Sequence, residues 1–233
     1  MKKFLLFLTL CWSVVAMAQD VLPYALVKQD AMVEYVLTRG EKKKLNMGPC
    51  YYRISVTDVS LTEDKSQNIT YRLDMLDKKK NISSYSQASG TKDGFYNAIL
   101  VAPDGSYKMD QDILFGIGQD MARAGFMFIV PGKMSVSQTL EGGAVQQEYK
   151  VMGSSVKSNY EYKNVKVVGE EDITVPAGTY HCMVIEGTAV GNLNKDRIVL
   201  PFKMWMARGI GVVRYRADFG IILYAELNDT VNL

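Results

Sequence analysis

Within Glu170–Arg216 the chain reads Val175-Pro176-Ala177-Gly178-Thr179-Tyr180 and, further on, Trp205-Met206-Ala207-Arg208-Gly209-Ile210-Gly211-Val212-Val213. In the first motif the proline fixes φ and ends a strand, and the small pair that follows makes a tight corner from which the chain re-enters a sheet. In the second motif the two glycines around Ile210 let the chain bend or approach another backbone closely. Both motifs predict the closing half of an antiparallel β domain, and neither contains recognisable chemistry.

Outside this stretch, short segments rich in Val, Ile, Tyr and Thr recur between turn residues. The pattern is typical of antiparallel sheets, and no linker or change in composition divides it. The sequence therefore predicts a mainly β protein with a single domain at residues 19–233, after a signal peptide at residues 1–18. The predicted strands are Met32–Thr38, Tyr51–Leu61, Asn68–Asp74, Phe95–Ala102, Met134–Leu140, Gln146–Met152, Tyr160–Val168, Tyr180–Thr188, Ile198–Ala207, Gly211–Arg216 and Ile221–Leu227.

One segment interrupts the strands with a helical pattern. Asp110 is a good N-cap, and Ile113, Ile117 and Met121 follow at the spacing of one helical face. Two interior glycines disfavour the helix by roughly 1 kcal/mol each relative to alanine, so that packing must hold it. We therefore expect a helix over Asp110–Ala124 that lies across the concave face of a single curved antiparallel sheet.

Apolar residues near this helix leave two interpretations open. Methionine fills irregular gaps in a core, and it also lines adaptable apolar sites. The run Phe126–Val130 likewise fits either a buried strand or the apolar lip of a cavity. If a cavity exists between helix and sheet, it would accept an acyl chain or another apolar ligand. The candidate lining residues are Ile113, Ile117, Met121, Phe126, Phe128, Met204 and Trp205.

The N-terminus has the pattern of an export signal. Two lysines precede the apolar run Phe4–Val15, which is too short to span a bilayer comfortably, and Ala16-Met17-Ala18 provides a small-residue cleavage site. Cys11 lies inside the apolar run and follows a leucine, which does not fit a lipidation signal. Cleavage after Ala18 and a periplasmic location are therefore expected, with no transmembrane segment in the mature chain.

The mature chain is electrically neutral. The whole sequence has 27 Lys and Arg against 25 Asp and Glu, and removal of the two signal lysines leaves 25 of each sign. A neutral surface gives no electrostatic reason to expect a nucleic acid as partner. The clusters Glu41–Lys44 and Asp77–Lys80 are predicted to be solvated hairpin loops.

Chemistry-bearing residues are scarce. Cys50 and Cys182 are the two cysteines of the mature chain, and they are either a disulfide or two buried free thiols. His181 is the single histidine, and it cannot pair with the adjacent cysteine because neighbours on a strand point to opposite faces. No metal-ligand spacing and no cofactor motif occurs, so the sequence predicts a protein that is not an enzyme.

Several motifs together resemble a known family. The segments Val175–Cys182, Val136–Leu140 and Trp205–Val213 correspond to a "VPAGTF-x-C" motif, a "VGQTL"-like strand and a closing "W-x-A-x-GVGLV" motif. In their order along the chain they resemble the TapB-like group of exported Gram-negative proteins, which is related to periplasmic domains of unknown function. Ser137 replaces the usual glycine of the second motif, and Arg208 stands where a small or polar residue is common. The resemblance implies a half-barrel like that of the envelope lipoprotein carriers LolA and LolB, and it implies no characterised activity.

Two functions follow as expectations. The first is an exported binding protein that holds an apolar or lipid-like ligand between helix and sheet. The alternative is an envelope structural or assembly protein whose sheet edge or convex face contacts another protein.

Overall fold

The computed structural model of the chain describes residues 22–39, 50–82, 95–111, 122–151, 154–218 and 222–233. In chain order the strands are β1 (Met32–Arg39), β2 (Cys50–Leu61), β3 (Gln67–Leu76), β4 (Phe95–Val101), β5 (Tyr107–Lys108), β6 (Ala122–Gly125), β7 (Ile129–Val130), β8 (Ala144–Val151), β9 (Ser154–Val175), β10 (Gly178–Leu193), β11 (Asp196–Ala207), β12 (Gly211–Asp218) and β13 (Ile222–Val231).

Eleven of these strands form one antiparallel sheet. Its spatial order is β4-β3-β2-β1-β13-β12-β11-β10-β9-β8-β6, and β5 pairs with β7 in a separate short ribbon. Most neighbours in the sheet are consecutive hairpin strands, whereas the β1–β13 pair joins the two ends of the chain. The Pro-Ala-Gly corner forms the turn of the long β9–β10 hairpin, in which Val175 opposes Gly178. The prediction of a mainly β protein with a single large antiparallel sheet is therefore confirmed.

The two faces of the sheet differ in chemistry. Residues directly opposite in register share a face, and alternate residues along a strand point to opposite faces. On the face that we call inner, Phe202 and Tyr215 stack with ring centroids 6.2 Å apart, and Met204 is completely buried. On the face that we call outer, Trp205 lies opposite Arg214. The inner face holds the main core.

Extended segments of the chain itself fill the inner face. One is the cover segment, Phe126–Gly143, whose Phe128 is fully buried and stacks against Phe202 at 6.0 Å between centroids. The backbone N–H of Leu140 donates to the carbonyl of Val165 at 2.9 Å and joins the cover segment to β9.

The second extended segment on the inner face is the N-terminal segment, Leu22–Ala31, which is buried from Tyr24 to Leu26. Its carbonyl groups accept hydrogen bonds from two buried tyrosine hydroxyls: Tyr71 donates to Leu26 O at 2.6 Å, and Tyr107 donates to Tyr24 O at 2.7 Å. A buried coil leaves backbone carbonyls without ladder partners, and these hydroxyls supply the missing donors. The N-terminal segment is thus part of the core.

The predicted helix across the concave face is wrong. Its last residues belong to β6, in which Ala124 pairs with Gln146 of β8, and no helix occurs anywhere in the described ranges. Gly125, the residue just after the predicted helix, has a φ of 106°, and a Cβ there would lie 1.8 Å from the carbonyl oxygen of Ala144. Because glycine has no Cβ, Gly125 lets β6 and β8 approach each other closely. Pairing with β8 outweighs the helical pattern, which the two interior glycines already weaken. Residues 112–121, and with them Ile113, Ile117 and Met121, lie outside the described residues.

Candidate functional site

The described members of the predicted cavity lining do not face one space. Phe128 and Met204 are buried on the inner face, whereas Trp205, the next residue along β11, points to the outer face. Phe126 is half-buried, and the Lys108 ammonium lies 5.0 Å from the centroid of its ring. The described candidates therefore contribute to two different faces of the sheet.

The interior beneath the N-terminal segment is nearly full. An apolar cavity there has a volume of about 20 Å³ and is lined by residues that include Tyr35, Tyr71, Tyr107, Met109 and Ile210. A space of this size is close to the minimum for one water molecule. An acyl chain cannot fit in it.

On the outer face, Trp205 holds the end of the β9–β10 hairpin. Its indole Nε1–H donates to the carboxylate of Glu171, and the Arg214 guanidinium lies 5.6 Å from the ring centroid. Arg214 also donates to the carbonyl of Thr174 at 3.1 Å, which ties the hairpin end to β12. A cation over an indole ring is attracted by the electron-rich ring face. These contacts give Trp205 a structural role.

Cys182 is a free, buried thiol on β10. Burial, first of all, and the nearby Asp172 and Glu171 carboxylates raise the pKa of this thiol to about 12. Cys50 begins β2, five strand positions away from β10 in the sheet, and its side chain lies outside the described residues. Because the thiolate is the nucleophilic form, Cys182 is unreactive at neutral pH.

His181 is exposed beside two carboxylates. Its Nδ1 lies 2.7 Å from Asp172 Oδ1, and its Nε2 lies 3.5 Å from Glu170 Oε2. The hydrogen bond to Asp172 is the main cause of a raised pKa at His181, and the charges of both carboxylates add to it. In the described part of the chain, no nucleophilic side chain contacts the His181 ring. The arrangement is therefore a cluster of surface charges.

The described ranges contain no group of three or more His, Cys, Asp and Glu side chains placed to hold a metal ion. Within the same ranges, no helix has the length and apolarity that are needed to cross a bilayer.

The surface feature that stands out is the edge strand β4, Phe95–Val101. It pairs with β3 on one side, and in the described part of the chain no strand pairs with its other side. Tyr96, Ala98 and Leu100 alternate on the outer face, and 54% of Tyr96 and 55% of Leu100 are exposed. The backbone N–H of Ala98 bonds to its neighbour's side chain, at 2.7 Å from Asn97 Oδ1, and so is directed away from β3.

The sequence of β4 lacks the usual protection of an edge. Proteins protect a strand at the edge of a sheet with Lys or Pro residues, with bulges that contain glycine, or by keeping the strand very short. Without such protection its unpaired backbone groups pair with another chain. β4 has seven residues, none of them charged, proline or glycine. By contrast, β6 at the opposite edge has four residues and includes Arg123 and Gly125. The sequence predicted β4 as a strand but not its position at the edge of the sheet, because an uncharged run has the same pattern in a central strand and in an edge strand.

Two solved structures share the fold. One is a protein described as exported, with a YmcC-like fold, from Bacteroides fragilis, and the other is a protein described as a lipoprotein from Parabacteroides distasonis. Each is 13% identical to this chain, with a TM-score of 0.68, and the alignment covers 91% of this chain and all of the other. At this identity the likeness concerns the fold alone. No curated protein sequence matches the chain significantly.

The family model described as DUF3108-like matches residues 35–217. This range runs from β1 to β12 and contains both the free edge strand and the two motifs that decide the fold. Since the match covers most of the chain, the protein belongs to the DUF3108-like family.

Proposed function

We propose that the protein is an exported, non-enzymatic assembly protein of the cell envelope, which binds an extended segment of a partner protein along the free edge of β4. The single observation that carries this proposal is the long, uncharged edge strand with an apolar outer face, which no strand pairs on its second side in the described part of the chain. Main-chain hydrogen bonds to an added strand supply affinity, and contacts with alternate side chains supply specificity. Tyr96 and Leu100 are the side chains placed for the second role.

The envelope location rests on two supports. The first is the export signal at residues 1–18, with cleavage expected after Ala18. The second is the description of the two structural neighbours as an exported protein and a lipoprotein. The TapB-like relationship stays a prediction, and it agrees with this location.

Protein binding is favoured over an apolar ligand because, among the described residues, the apolar cavity beneath the N-terminal segment has a volume of only about 20 Å³. It is favoured over catalysis because Cys182 is buried with a raised pKa and, among the described residues, the ring nitrogens of His181 lie against the Asp172 and Glu170 carboxylates. Nucleophilic catalysis would need a nucleophile within reach of a base.

Site-specific photocrosslinking in the intact envelope tests the proposal. A photoreactive residue is placed at Tyr96 or at Leu100, and the matched control is Val168, an exposed apolar residue of the interior strand β9. We expect the same discrete adduct with another protein from both β4 positions, and no such adduct from Val168.

The variant Ala98→Pro should abolish this adduct, because an added strand must take the Ala98 N–H from Asn97 Oδ1 and proline removes that N–H. An unchanged unfolding midpoint must accompany the loss. Equal crosslinking from Val168, an adduct only with a second copy of this chain, or an adduct that survives the proline in a folded protein would each refute the proposal.

A further inference from the structure

One of its own side chains covers the centre of the edge strand β4. The strand has seven residues, and Ala98 is the central one. In an antiparallel pair, the backbone groups of successive residues point alternately toward the neighbouring strand and away from it. Because the N–H of Ala98 points away from β3, the N–H groups of Tyr96 and Leu100 point to the same side. An added strand would pair with this side of β4, and Ala98 is at the middle of it.

Asn97 provides the cover. Its side-chain oxygen Oδ1 accepts the hydrogen bond of the Ala98 N–H at 2.7 Å, and it therefore occupies the position of a carbonyl oxygen from an added strand. Asn is depleted in strands, and its side chain forms local bonds to the backbone that compete with the ladder bonds of a sheet. Asn97 is the single amide side chain of β4, and it bonds to the group on which pairing at the centre of the edge depends.

A carboxylate holds the Asn97 amide in this orientation. The amide nitrogen Nδ2 donates to Asp110 Oδ2 at 3.2 Å. The two contacts fix which end of the amide is which, because a backbone N–H needs an acceptor and a carboxylate needs a donor. The core in turn positions Asp110. The preceding residue, Met109, is buried; its N–H donates to Phe128 O and its carbonyl accepts from the N–H of Met127, both at 2.9 Å.

The pair Asn97 and Asp110, which we call the edge guard, bears on strand addition. A partner strand can form its central bond to Ala98 only after Asn97 Oδ1 has left that N–H. We infer that the edge guard is an autoinhibitory contact, which weakens the pairing of any added strand with β4 and restricts the edge to partners that displace Asn97. This inference rests on the proposed function of β4. The guard gives an edge without charge, proline or glycine a different protection against indiscriminate pairing.

Hydrogen exchange at the edge tests the cover directly and needs no partner. NMR of ¹⁵N-labelled protein gives the exchange rates of the Ala98 and Leu100 amides, each corrected for its intrinsic rate. Asn97→Ala should speed exchange at Ala98 by about two- to tenfold, the effect of one ordinary hydrogen bond, and leave Leu100 unchanged. Asp110→Ala should also speed exchange at Ala98, because it removes the group that holds the amide. Asp110→Asn keeps an acceptor for Nδ2 and should stay close to the wild type.

Competition for the partner tests the autoinhibition. The wild type and Asn97→Ala, each with the photoreactive residue at Leu100 and with tags of different size, are produced together in excess over the partner. Their shares of the adduct then give the ratio of their affinities. We expect Asn97→Ala to hold about two- to tenfold more of the partner than the wild type. Asn192→Ala, which removes an exposed amide from the interior strand β10, is the matched control and should share the partner equally with the wild type.

Every variant must keep the wild-type unfolding midpoint. Should Asn97→Ala fail to fold, Asp110→Ala, which leaves β4 itself intact, replaces it in both measurements. Unchanged exchange at Ala98, equal exchange in Asp110→Asn and Asp110→Ala, or a share of the partner no larger than that of the wild type would each overturn the inference. Absence of an adduct from every protein would instead refute the proposed function, whereas the exchange rates would still decide whether Asn97 covers the edge.

Discussion

Two tyrosine hydroxyls hold the N-terminal segment in the core, and their removal is the most direct test of how the inner face is closed. Tyr71→Phe deletes the donor to Leu26 O, and Tyr107→Phe deletes the donor to Tyr24 O. Burial raises the pKa of both phenols well above the usual range, so both hydroxyls remain protonated donors at any ordinary pH. Each substitution preserves the ring and leaves one buried carbonyl without this partner.

A buried polar group without its partner costs about 1–3 kcal/mol, so each variant should lower the free energy of unfolding by that amount. Because both bonds hold one short segment, their effects should couple in a double-mutant cycle. Denaturant unfolding at unchanged slope gives the stability, and hydrogen exchange of the peptide that covers residues 22–31 shows where the protein opens.

Tyr35→Phe is the matched control, because the Tyr35 hydroxyl makes an equally short bond, 2.6 Å to Val212 O, within the sheet. It should cost a similar free energy and leave the exchange of residues 22–31 unchanged. The reasoning fails if Tyr71→Phe and Tyr107→Phe both stay within about 0.5 kcal/mol of the wild type. It also fails if the control variant accelerates exchange in the N-terminal segment as much as they do.

Three further predictions concern single side chains. Phe128→Ala should lower the free energy of unfolding by about 3–5 kcal/mol in denaturant unfolding, because it empties a fully buried ring site under the cover segment. The single histidine allows an unambiguous NMR titration: the pKa of His181 should lie above 6.5 and fall in Asp172→Asn, and a value unchanged by the substitution would contradict the hydrogen-bond cause. Because the folded-state pKa is raised, this contact stabilises the fold below the unfolded-state pKa and is lost as pH rises through the raised value. In a Cys50→Ser background, Cys182 should resist a thiol reagent at pH 8 until the protein is unfolded, and rapid labelling of the native protein would show that the thiol is not buried as described.

Local sequence signals predicted the strands well where pairing is also local. The Pro-Ala-Gly corner and the closing glycines lie at hairpin turns, and the flanking segments pair with their neighbours in sequence. Alternation and turn chemistry carry this information within about a dozen residues. The same signals failed at Met134–Leu140, which was predicted to be a strand. This segment is bonded to β9 through its backbone but forms an isolated bridge, at Thr139 with Lys166, instead of a strand. That segment depends on contacts with the middle of β9, which its own sequence does not encode.

The candidate site at β4 was harder to predict for a related reason. The exposure of β4 depends on which strand comes first in the sheet order, a property of the whole fold. The absence of charge in β4 is visible in the sequence, but only the order of strands in the sheet shows that β4 is an edge strand.

Arg208 belongs to the second of the two motifs that decide the fold, Trp205–Val213, and its contacts also hold the core closed. One guanidinium nitrogen donates to Leu22 O at 2.7 Å and to Gly132 O at 3.1 Å, and the guanidinium lies 4.4 Å from the centroid of the Tyr24 ring. A lysine could not combine a planar stack with two such bonds. The residue thus joins the N-terminal segment and the cover segment to the β11–β12 turn, across a separation of 186 residues in the case of Leu22.

This separation sets the order in which the core closes. The N-terminal segment is synthesised first, whereas its docking site on Arg208 and the neighbouring Gly209, whose N–H donates to Pro23 O at 2.8 Å, is synthesised near the end of the chain. Contacts of such long range form only after the entropy of closing a large loop has been overcome, which makes them late events in folding. The inner face must therefore stay open until β11 and β12 are available to fold. A chain that is cut short at the β11–β12 turn cannot complete its core, even though the strands up to β11 are present.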